Sequence, residues 1–210
     1  MKGPQKGQGR VAALKLLGKT GGMMTGDLPL GLASLQRETA AGRGLPPVEK
    51  WNPAFCGEID MRIARDGTWF HQGSPIGRRE LVRLFSTILR KEGDDYFLVT
   101  PVEKMKIAVE DVPFLAVLMD VEPGDPQHLR FTTNVGDEVI ADRDHVIRVE
   151  TDPETQTPSP YIHVRAGLEA RIARPVFYQL ADIAVPGTGA HAGTLGVWSG
   201  GIYFPIGRPE

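Results

Sequence analysis

The residues best suited to chemistry are gathered in the stretch WFHQGSPIGRR, residues 69–79. Trp69 and His71 lie two positions apart, so on a strand both side chains point to the same face. Such a pair forms either a stacking surface with a titratable tip or a core tryptophan beside a histidine at the rim. Large aromatic residues next to a helix joint mostly serve packing, so we favour the second interpretation and keep both residues as ligand-binding candidates.

Arg78 and Arg79 stand at the start of the helical segment that follows. Cations at a helix N-terminus oppose the macrodipole, so an acid or a bound anion is needed to offset them. Free N–H groups and two guanidinium groups together favour a phosphate or carboxylate ligand. We expect Arg78 or Arg79 to pair with Glu103 or another acid, and the alternative is an open cleft that it shares with His71.

Two further segments are polar loops, and rigid polar loops are better site candidates than strand faces. The segment VTPVEK supplies Thr100 and Glu103, and the segment TNVGD supplies Asn134 and Asp137. The sequence therefore predicts a small-ligand site drawn from these residues and from the corner: Trp69, His71, Arg78, Arg79, Thr100, Glu103, Asn134 and Asp137.

Motifs for nucleotide and metal binding are incomplete. ALKLLGKT, residues 13–20, ends like a phosphate-binding loop, but Ala13 replaces the first glycine and no strand precedes it. DRDH, residues 142–145, fits a solvated turn better than a cation site, because hard cations take six or more ligands. We predict no cofactor, no metal and no assigned catalytic residue.

Composition narrows the class of protein. Of 210 residues, 41% are hydrophobic and 24% charged, as in soluble globular proteins. The net charge of -2 argues against nucleic-acid binding. The single cysteine, Cys56, suits a reducing cytoplasm. The longest apolar run, Val112–Met119, is far shorter than the roughly 20 residues of a membrane span, so we expect a cytoplasmic protein without one.

Composition shifts along the chain predict four regions. Residues 1–24 are basic and read as a flexible tail, and residues 25–50 hold a short helix and a proline-rich linker. An N-terminal α+β domain is predicted over 51–115 and a β-rich C-terminal domain with one helix over 116–210. PFLAVLMDVE, residues 113–122, is apolar on both faces and predicts a buried central strand.

A hairpin followed by a helix is predicted twice. In the first, EIDMRIARDGTWFHQG turns at Asp66-Gly67, and apolar residues at helical spacing extend a helix to Lys91 before Gly93. In the second, alternation from Ile162 to Ile172 precedes a helix with Pro175 at its first position. The predicted fold class is α+β and mainly β overall, with two small subdomains of antiparallel strands, one main helix each, and the hairpin-then-helix unit at 59–90 and 161–185.

Several strings in the sequence are shared with a known family. They are PVEKWNP (47–53), DGTWF with GSPI and LVRLF (66–85), LVTPVEK (98–104), VEDVPF (109–114), TNVGD (133–137) and PYIHVRAGLEARIAR (160–174). From Pro47 to Val185 the chain resembles the bacterial family catalogued as domain of unknown function 1285. The resemblance implies two adjoining small domains and a ligand-sensing or signalling role, and it implies no reaction and no catalytic residues.

We therefore expect an uncharacterised, non-enzymatic module that binds a small anionic ligand or a protein partner and has a signalling role. The alternative is a hydrolase-like enzyme that uses His71 with Glu103 or Asp137. An enzyme needs those groups to converge in a concave pocket, whereas a binding module needs only a pocket or an exposed apolar patch. The sequence leaves the oligomeric state open.

Overall fold

The computed structural model describes residues 44–209, which form a mainly β protein with two α-helices in that range. The tail predicted at 1–24 and the short helix predicted within 25–50 lie outside the described residues. Over the described range, no helix has the length and apolar character needed to cross a membrane.

The first sheet has six strands in the order β3-β2-β1-β6-β5-β4. Their bounds are β1 Phe55–Ile63, β2 Trp69–His71, β3 Ser74–Pro75, β4 Leu89–Glu92, β5 Asp95–Val99 and β6 Lys104–Val109. Helix α1, Arg79–Thr87, connects β3 to β4. The alternation in β1 buries Ile59, Met61 and Ile63 on the inner face and leaves the side chains between them on the outer face.

The connection from β1 to β2 is longer than the two-residue turn predicted at Asp66-Gly67. It covers residues 64–68, with the amide of Ala64 donating to the carbonyl of Thr68. The Asp66 carboxylate accepts a hydrogen bond from the Thr68 amide, and Gly67 has a φ of 82°. Both predicted residues therefore lie in the turn, inside a wider loop.

Helix α1 ends earlier than the apolar spacing predicts. It stops at Thr87, and the residues predicted as its last turn form strand β4 instead. β4 pairs antiparallel with β5, and Leu89 lies opposite Leu98 in the buried core. The LRKE segment therefore satisfies its backbone groups in a sheet, where tertiary pairing outweighs the local helical pattern.

The second sheet has the order β10-β11-β12-β7-β8-β9. Its strands are β7 Phe114–Glu122, β8 His128–Thr133, β9 Glu138–Ile140, β10 Ile147–Thr151, β11 Pro158–Arg165 and β12 Leu168–Ile172. Helix α2, Arg174–Asp182, follows β12 and has Pro175 in its first turn. Counted from the β9 edge, the order is β9-β8-β7-β12-β11-β10, so β7 to β12 take the places of β1 to β6 in the first sheet. The central pair is parallel in both sheets.

This topology corrects two predictions. The central pair of each sheet is parallel, β1 with β6 and β7 with β12, so the sheets are not purely antiparallel. The repeated unit is the six-stranded sheet rather than the hairpin followed by a helix. The hairpin before α1 is the first and second strand of its sheet, whereas the hairpin before α2 is the fifth and sixth. The two segments are therefore not equivalent.

Strand β7 is central in its sheet but is buried over only part of its length. Phe114 and Ala116 are buried, whereas Val117, Leu118 and Val121 are exposed. β12 pairs with β7 only from Phe114 to Ala116, so the second half of β7 lacks a neighbouring strand on that side. The prediction of burial on both faces is wrong for residues 117–122 because the partner strand ends and the chain turns into α2.

A small third sheet completes the described chain. It contains β13 Val185–Pro186, β14 Leu195–Ser199 and β15 Ile202–Gly207. Ser199 ties it to the second sheet, because its hydroxyl donates to the carbonyl of Ala141 and accepts from the amide of Leu129. Buried residues of all three sheets form one continuous apolar core.

Candidate functional site

Trp69 and His71 both point into the core of the first sheet. Trp69 is 1% exposed, and its ring stacks on Phe85 of α1 at a centroid distance of 6.1 Å. His71 is 4% exposed, so it is buried and does not lie at the rim. Trp69 Nε1 and His71 Nε2 have no hydrogen-bond partner among the residues that the structure describes. The pair therefore packs the core and offers no surface to a ligand.

Arg78 and Arg79 lie at the start of α1 with exposed side chains. Within residues 44–209 neither arginine forms an ion pair, so the predicted bridge to Glu103 is not present. His71 is shut inside the core, so the arginines also share no open cleft with it. Their charges are instead screened by solvent, which reduces their repulsion with the helix dipole.

Thr100 and Glu103 form the turn between β5 and β6. The Thr100 hydroxyl accepts hydrogen bonds from the amides of Val102 and Glu103, at 3.3 and 3.1 Å. The Thr100 amide donates to the carbonyl of Glu103 at 2.8 Å. Thr100 is fully buried, so its hydroxyl stabilises the turn.

Asn134 and Asp137 join parts of the fold. The Asn134 side chain accepts from the amide of Leu115 at 3.1 Å and donates to the carbonyl of Gly67 at 3.2 Å. It thereby links the second sheet to the β1–β2 loop. Asp137 forms an ion pair with Arg165, whose guanidinium also donates to the carbonyl of Ser86 near the end of α1. Asn134 thus makes a direct contact between the two halves, and Asp137 holds the arginine that makes another.

An open cavity lies elsewhere, at the central parallel pair of the first sheet. Glu58 of β1 pairs with Lys106 of β6, and Arg62 pairs with Ala108. Three residues of β1 therefore lie opposite the single residue Ile107, and the regular pairing of the two strands is interrupted there. A cavity of about 450 Å³ opens at this bulge. None of the predicted site residues, all within the described range, lines it.

Charged groups and one aromatic ring form the wall of this cavity. The outward side chains of β1 and β6 meet Phe70 and the Gly73 turn there: Glu58, Asp60, Arg62, Lys106 and Ala108. Lys106 pairs with Asp95 at 2.7 Å, which raises the pKa of its ammonium group. Within residues 44–209, Glu58 and Asp60 form no ion pair. The cavity wall thus carries two carboxylates outside any ion pair among these residues, and Glu58 lies near enough to Lys106 to help raise the pKa of its ammonium group.

Arg62 is held by two groups on the same face. Its guanidinium carbon lies 4.3 Å from the centroid of the Phe70 ring, in a cation–π contact. The guanidinium also forms an ion pair with Glu110, the first residue after β6. Arg62 is 41% exposed at its side chain, so it remains accessible from the cavity.

A strap covers the other side of this outer face. Residues 46–53 cross it, and Val48 and Trp51 pack against Phe97. Arg90 donates from Nη1 to the carbonyl of Trp51 at 2.7 Å and to that of Val48 at 3.3 Å. The strap leaves the bulged part of the face, with its cavity, uncovered.

The corresponding face of the second sheet is filled by ion pairs. Arg148 binds both carboxylate oxygens of Glu169 at 2.7 Å and lies 4.3 Å above the Tyr161 ring. The Tyr161 hydroxyl donates to Asp111 at 3.0 Å, and Arg171 donates to the other oxygen of Asp111 at 2.9 Å. These contacts form a polar network over β10, β11 and β12.

The acids of DRDH serve a turn. The Asp142 carboxylate accepts from the amides of Asp144 and His145, each at 2.8 Å. His145 and His163 stack with their centroids 5.9 Å apart. Over the described part of the chain, no group of three histidine, cysteine or acidic residues has a geometry that could hold a metal ion.

Family models match both halves of the chain. Residues 46–112 match the model of the N-terminal domain of DUF1285, a domain of unknown function. Residues 113–206 match the model of the DUF1285 C-terminal domain. The chain belongs to the DUF1285 family. This confirms the resemblance seen in the PVEKWNP, LVTPVEK and PYIHVRAGLEARIAR strings.

Two solved DUF1285 structures resemble this chain. The protein from Silicibacter pomeroyi DSS-3 is 50% identical over 81% of this chain and 94% of its own, with a TM-score of 0.72. The protein from Shewanella baltica OS155 is 26% identical over 59% of this chain and 91% of its own, with a TM-score of 0.48. No curated protein matches the chain. The descriptions of these DUF1285 relatives name no reaction.

The residues of the cavity carry only weak signals in the sequence. Glu58, Asp60 and Arg62 read as the wet face of an ordinary alternating strand. Nothing in that alternation indicates the bulge, in which three residues of β1 between Glu58 and Arg62 lie opposite one residue of β6. Glu110 and Asp111 directly follow β6, next to the boundary between the two family domains. Two adjacent acids at that position are the sequence signal that could have pointed to the contacts of Arg62.

Proposed function

We propose that this DUF1285 protein is a non-catalytic binding module and that the cavity at the bulge between β1 and β6 is its ligand site. The observation that carries the proposal is the cavity itself, whose volume of about 450 Å³ falls in the range of ligand pockets. Bulges in sheets commonly occur next to functional sites. A signalling role, in which ligand binding is reported to another molecule, is part of the proposal.

The charges of the wall favour a small ligand that carries a positive group. Arg62 and Lys106 already pair with Glu110 and Asp95, whereas the carboxylates of Glu58 and Asp60 face the cavity. An ammonium group can bind these carboxylates, and a flat or apolar part of the ligand can contact the Phe70 ring. This proposal replaces the small anionic ligand that Arg78 and Arg79 had suggested.

A hydrolase-like reaction has less support. It would need His71 beside Glu103 or Asp137 with access to a substrate. His71 lies inside the core, and the carboxylate of Asp137 is paired with Arg165. Since no observation favours this second candidate, we keep binding as the proposed function.

A thermal-shift screen tests the cavity. The folded protein would be heated with a panel of small amines, amino acids and carboxylates, because a ligand that binds only the folded state raises the melting temperature. The Ala108→Phe variant, which places a ring in the cavity, serves as the matched control. We expect an amine or amino acid to stabilise the natural chain and not the variant.

Two results would contradict the proposal. One is equal stabilisation of the natural chain and the Ala108→Phe variant by every active compound, which would locate binding elsewhere. The other is the absence of any stabilising compound together with the absence of a co-purifying small molecule in native mass spectra. Stabilisation by carboxylates alone would support the cavity and reject its preference for a positive group.

A further inference from the structure

We infer that the Arg62–Glu110 ion pair couples occupancy of the cavity to the second sheet. The inference rests on the proposed function, since it concerns what a ligand in that cavity does. Arg62 forms part of the cavity wall. Its partner Glu110 belongs to the connector, residues 110–113, which joins β6 to β7 and thus the first sheet to the second.

The connector is tied to the first sheet through Glu110. One carboxylate oxygen pairs with Arg62, and the other accepts a hydrogen bond from the Arg65 amide at 3.0 Å. Arg65 also reaches the next residue, since its Nε lies 3.4 Å from the carboxylate of Asp111. Both anchors of Glu110 therefore come from the end of β1 and the loop that follows it.

Asp111, one position further, is tied to the second sheet. It accepts from the Tyr161 hydroxyl of β11 at 3.0 Å and from Arg171 of β12 at 2.9 Å. Its side chain is only 14% exposed, and Val112 and Pro113 beside it are buried. Glu110 is thus held by the first sheet, and Asp111 is held mainly by the second, with the longer contact to Arg65 on its other side. No residue separates the two, so a shift of Glu110 must be accommodated at Asp111.

A ligand that contacts Arg62 or Phe70 in the cavity wall changes the forces on this link. A ring placed on Phe70 competes with the guanidinium for the same aromatic face, and an acid group on the ligand competes with Glu110. Either contact gives the ligand a different affinity for the paired and unpaired states of Arg62, which is the physical requirement for coupling. By reciprocity, the state of the second sheet then alters affinity at the cavity.

Lys106 provides the matched control on the same wall. It also lines the cavity and also forms an ion pair, but its partner is Asp95 at the start of β5. That pair stays within the first sheet and does not involve the connector. Loss of the Lys106 charge should therefore disturb the cavity without disturbing the second sheet.

Hydrogen exchange of the full chain tests the coupling without a ligand. The natural chain, Arg62→Met and Lys106→Met would be compared under native conditions. We expect Arg62→Met to raise exchange by about fivefold or more in peptides that cover 110–113 and 158–172, the usual scale of coupling between sites. Lys106→Met should leave these peptides within about twofold of the natural chain, as expected for an uncoupled exposed pair.

A conservative variant separates coupling from simple damage to the fold. Arg62→Glu should raise exchange in 158–172, whereas Arg62→Lys, which keeps a positive charge beside Glu110 and leaves the Arg65 amide bonded to Glu110, should stay within about twofold of the natural chain. Unchanged exchange in Arg62→Met, equal effects of Arg62→Met and Lys106→Met, or equal exchange in Arg62→Lys and Arg62→Met would each overturn the inference. A failed ligand screen would reject the proposed function and leave these exchange results standing.

Discussion

In the first sheet the central strands β1 and β6 lose register, because three residues of β1 lie opposite one residue of β6 and a cavity opens at that point. In the second sheet the equivalent strands β12 and β7 pair in register from Ala170–Phe114 to Ile172–Ala116. The side chains on its polar face are engaged with one another, through Arg148 with Glu169 and through Tyr161 and Arg171 with Asp111. The outer face of the first sheet is therefore open at β1 and β6, whereas the corresponding face of the second sheet is filled over β10, β11 and β12.

The comparison shows that topology and site are decided at different levels. The order of the strands depends on which strands pair with one another, and this order is the same in both sheets. The cavity lies where β1 has two more residues than β6 between paired positions, and a bulge of this kind bends a strand away from its neighbour. The following predictions test this difference between the halves, beginning with the largest expected effect.

Removing Trp69 should cause the largest loss of stability. Trp69→Ala empties a site that is 1% exposed, and such changes lower the free energy of unfolding by about 3–5 kcal/mol. Because one apolar core joins the sheets, urea unfolding should stay a single transition that shifts as a whole. Phe70→Ala, on the half-buried opposite face of β2, should cost far less. A variant that melts like the natural chain would show that Trp69 does not support the core, and separate transitions for the halves would show that the core does not unite them.

Neutralising Asp111 should weaken the filled face of the second sheet. Asp111→Asn removes the charge from hydrogen bonds with Tyr161 and Arg171, and such charge-assisted bonds contribute about 2 kcal/mol to the free energy of unfolding. Asp95→Asn, which loses an exposed ion pair with Lys106, should change it by no more than about 0.5 kcal/mol. Denaturant unfolding measures both, and equal effects would mean that the network stabilises no more than an exposed pair.

Alkaline conditions should also act on the filled face. Burial, then the hydrogen bond to Asp111, raises the pKa of Tyr161 above its usual value of about 10. The unfolded chain therefore loses this proton first, so stability that is present below about pH 10 is lost as the pH rises through the pKa of the folded state.

The control for this prediction is Tyr161→Phe, which has no phenol to titrate at this position. Its melting temperature should fall less steeply between about pH 8 and pH 11 than that of the natural chain. Burial also raises the pKa of Tyr96, so some alkaline loss should remain in the variant. Identical slopes in the two proteins would exclude a contribution from Tyr161.

Enlarging an alanine should show the smallest effect at the open face. Ala108 of β6 is exposed beside the cavity, so Ala108→Leu should alter the free energy of unfolding by no more than about 0.5 kcal/mol. Ala170 of β12, the equivalent strand, is fully buried, and Ala170→Leu should cost about 1–3 kcal/mol through overpacking. Similar losses at both positions would show that the cavity is less open than its geometry indicates.

Much of the fold is readable from local patterns. Alternation in β1 and in the strands around Gly167, the Asp66-Gly67 turn signal and the helix with Pro175 in its first turn all appear in the structure at or near the expected places. The wrong predictions fall where pairing with a distant strand determines the local structure. The LRKE segment, Leu89–Glu92, became a strand because β5 was available beside it, and β7 lost burial where its partner strand ended.

The candidate site was much less predictable. Asn134, Asp137 and Thr100 were chosen because they are polar and stand in loops, and all three stabilise the fold through hydrogen bonds or an ion pair. The cavity depends on Arg62 and Phe70, which look like ordinary strand residues. A polar residue in a loop has the same appearance in sequence whether its partner is a ligand or another segment of the chain.

By itself, the sequence determined the family, the mainly β character and the periodicities that place Trp69 and Ile63 inside and Arg62 outside. These properties depend on the order of side chains along one strand or helix, which a pattern records directly. Only the tertiary structure decided that β1 runs parallel to β6, that a bulge opens between them, and that Glu110 is held by the first sheet and Asp111 mainly by the second. Those features depend on register between segments far apart in the chain, and register is set by the packing of the whole core rather than by any local signal.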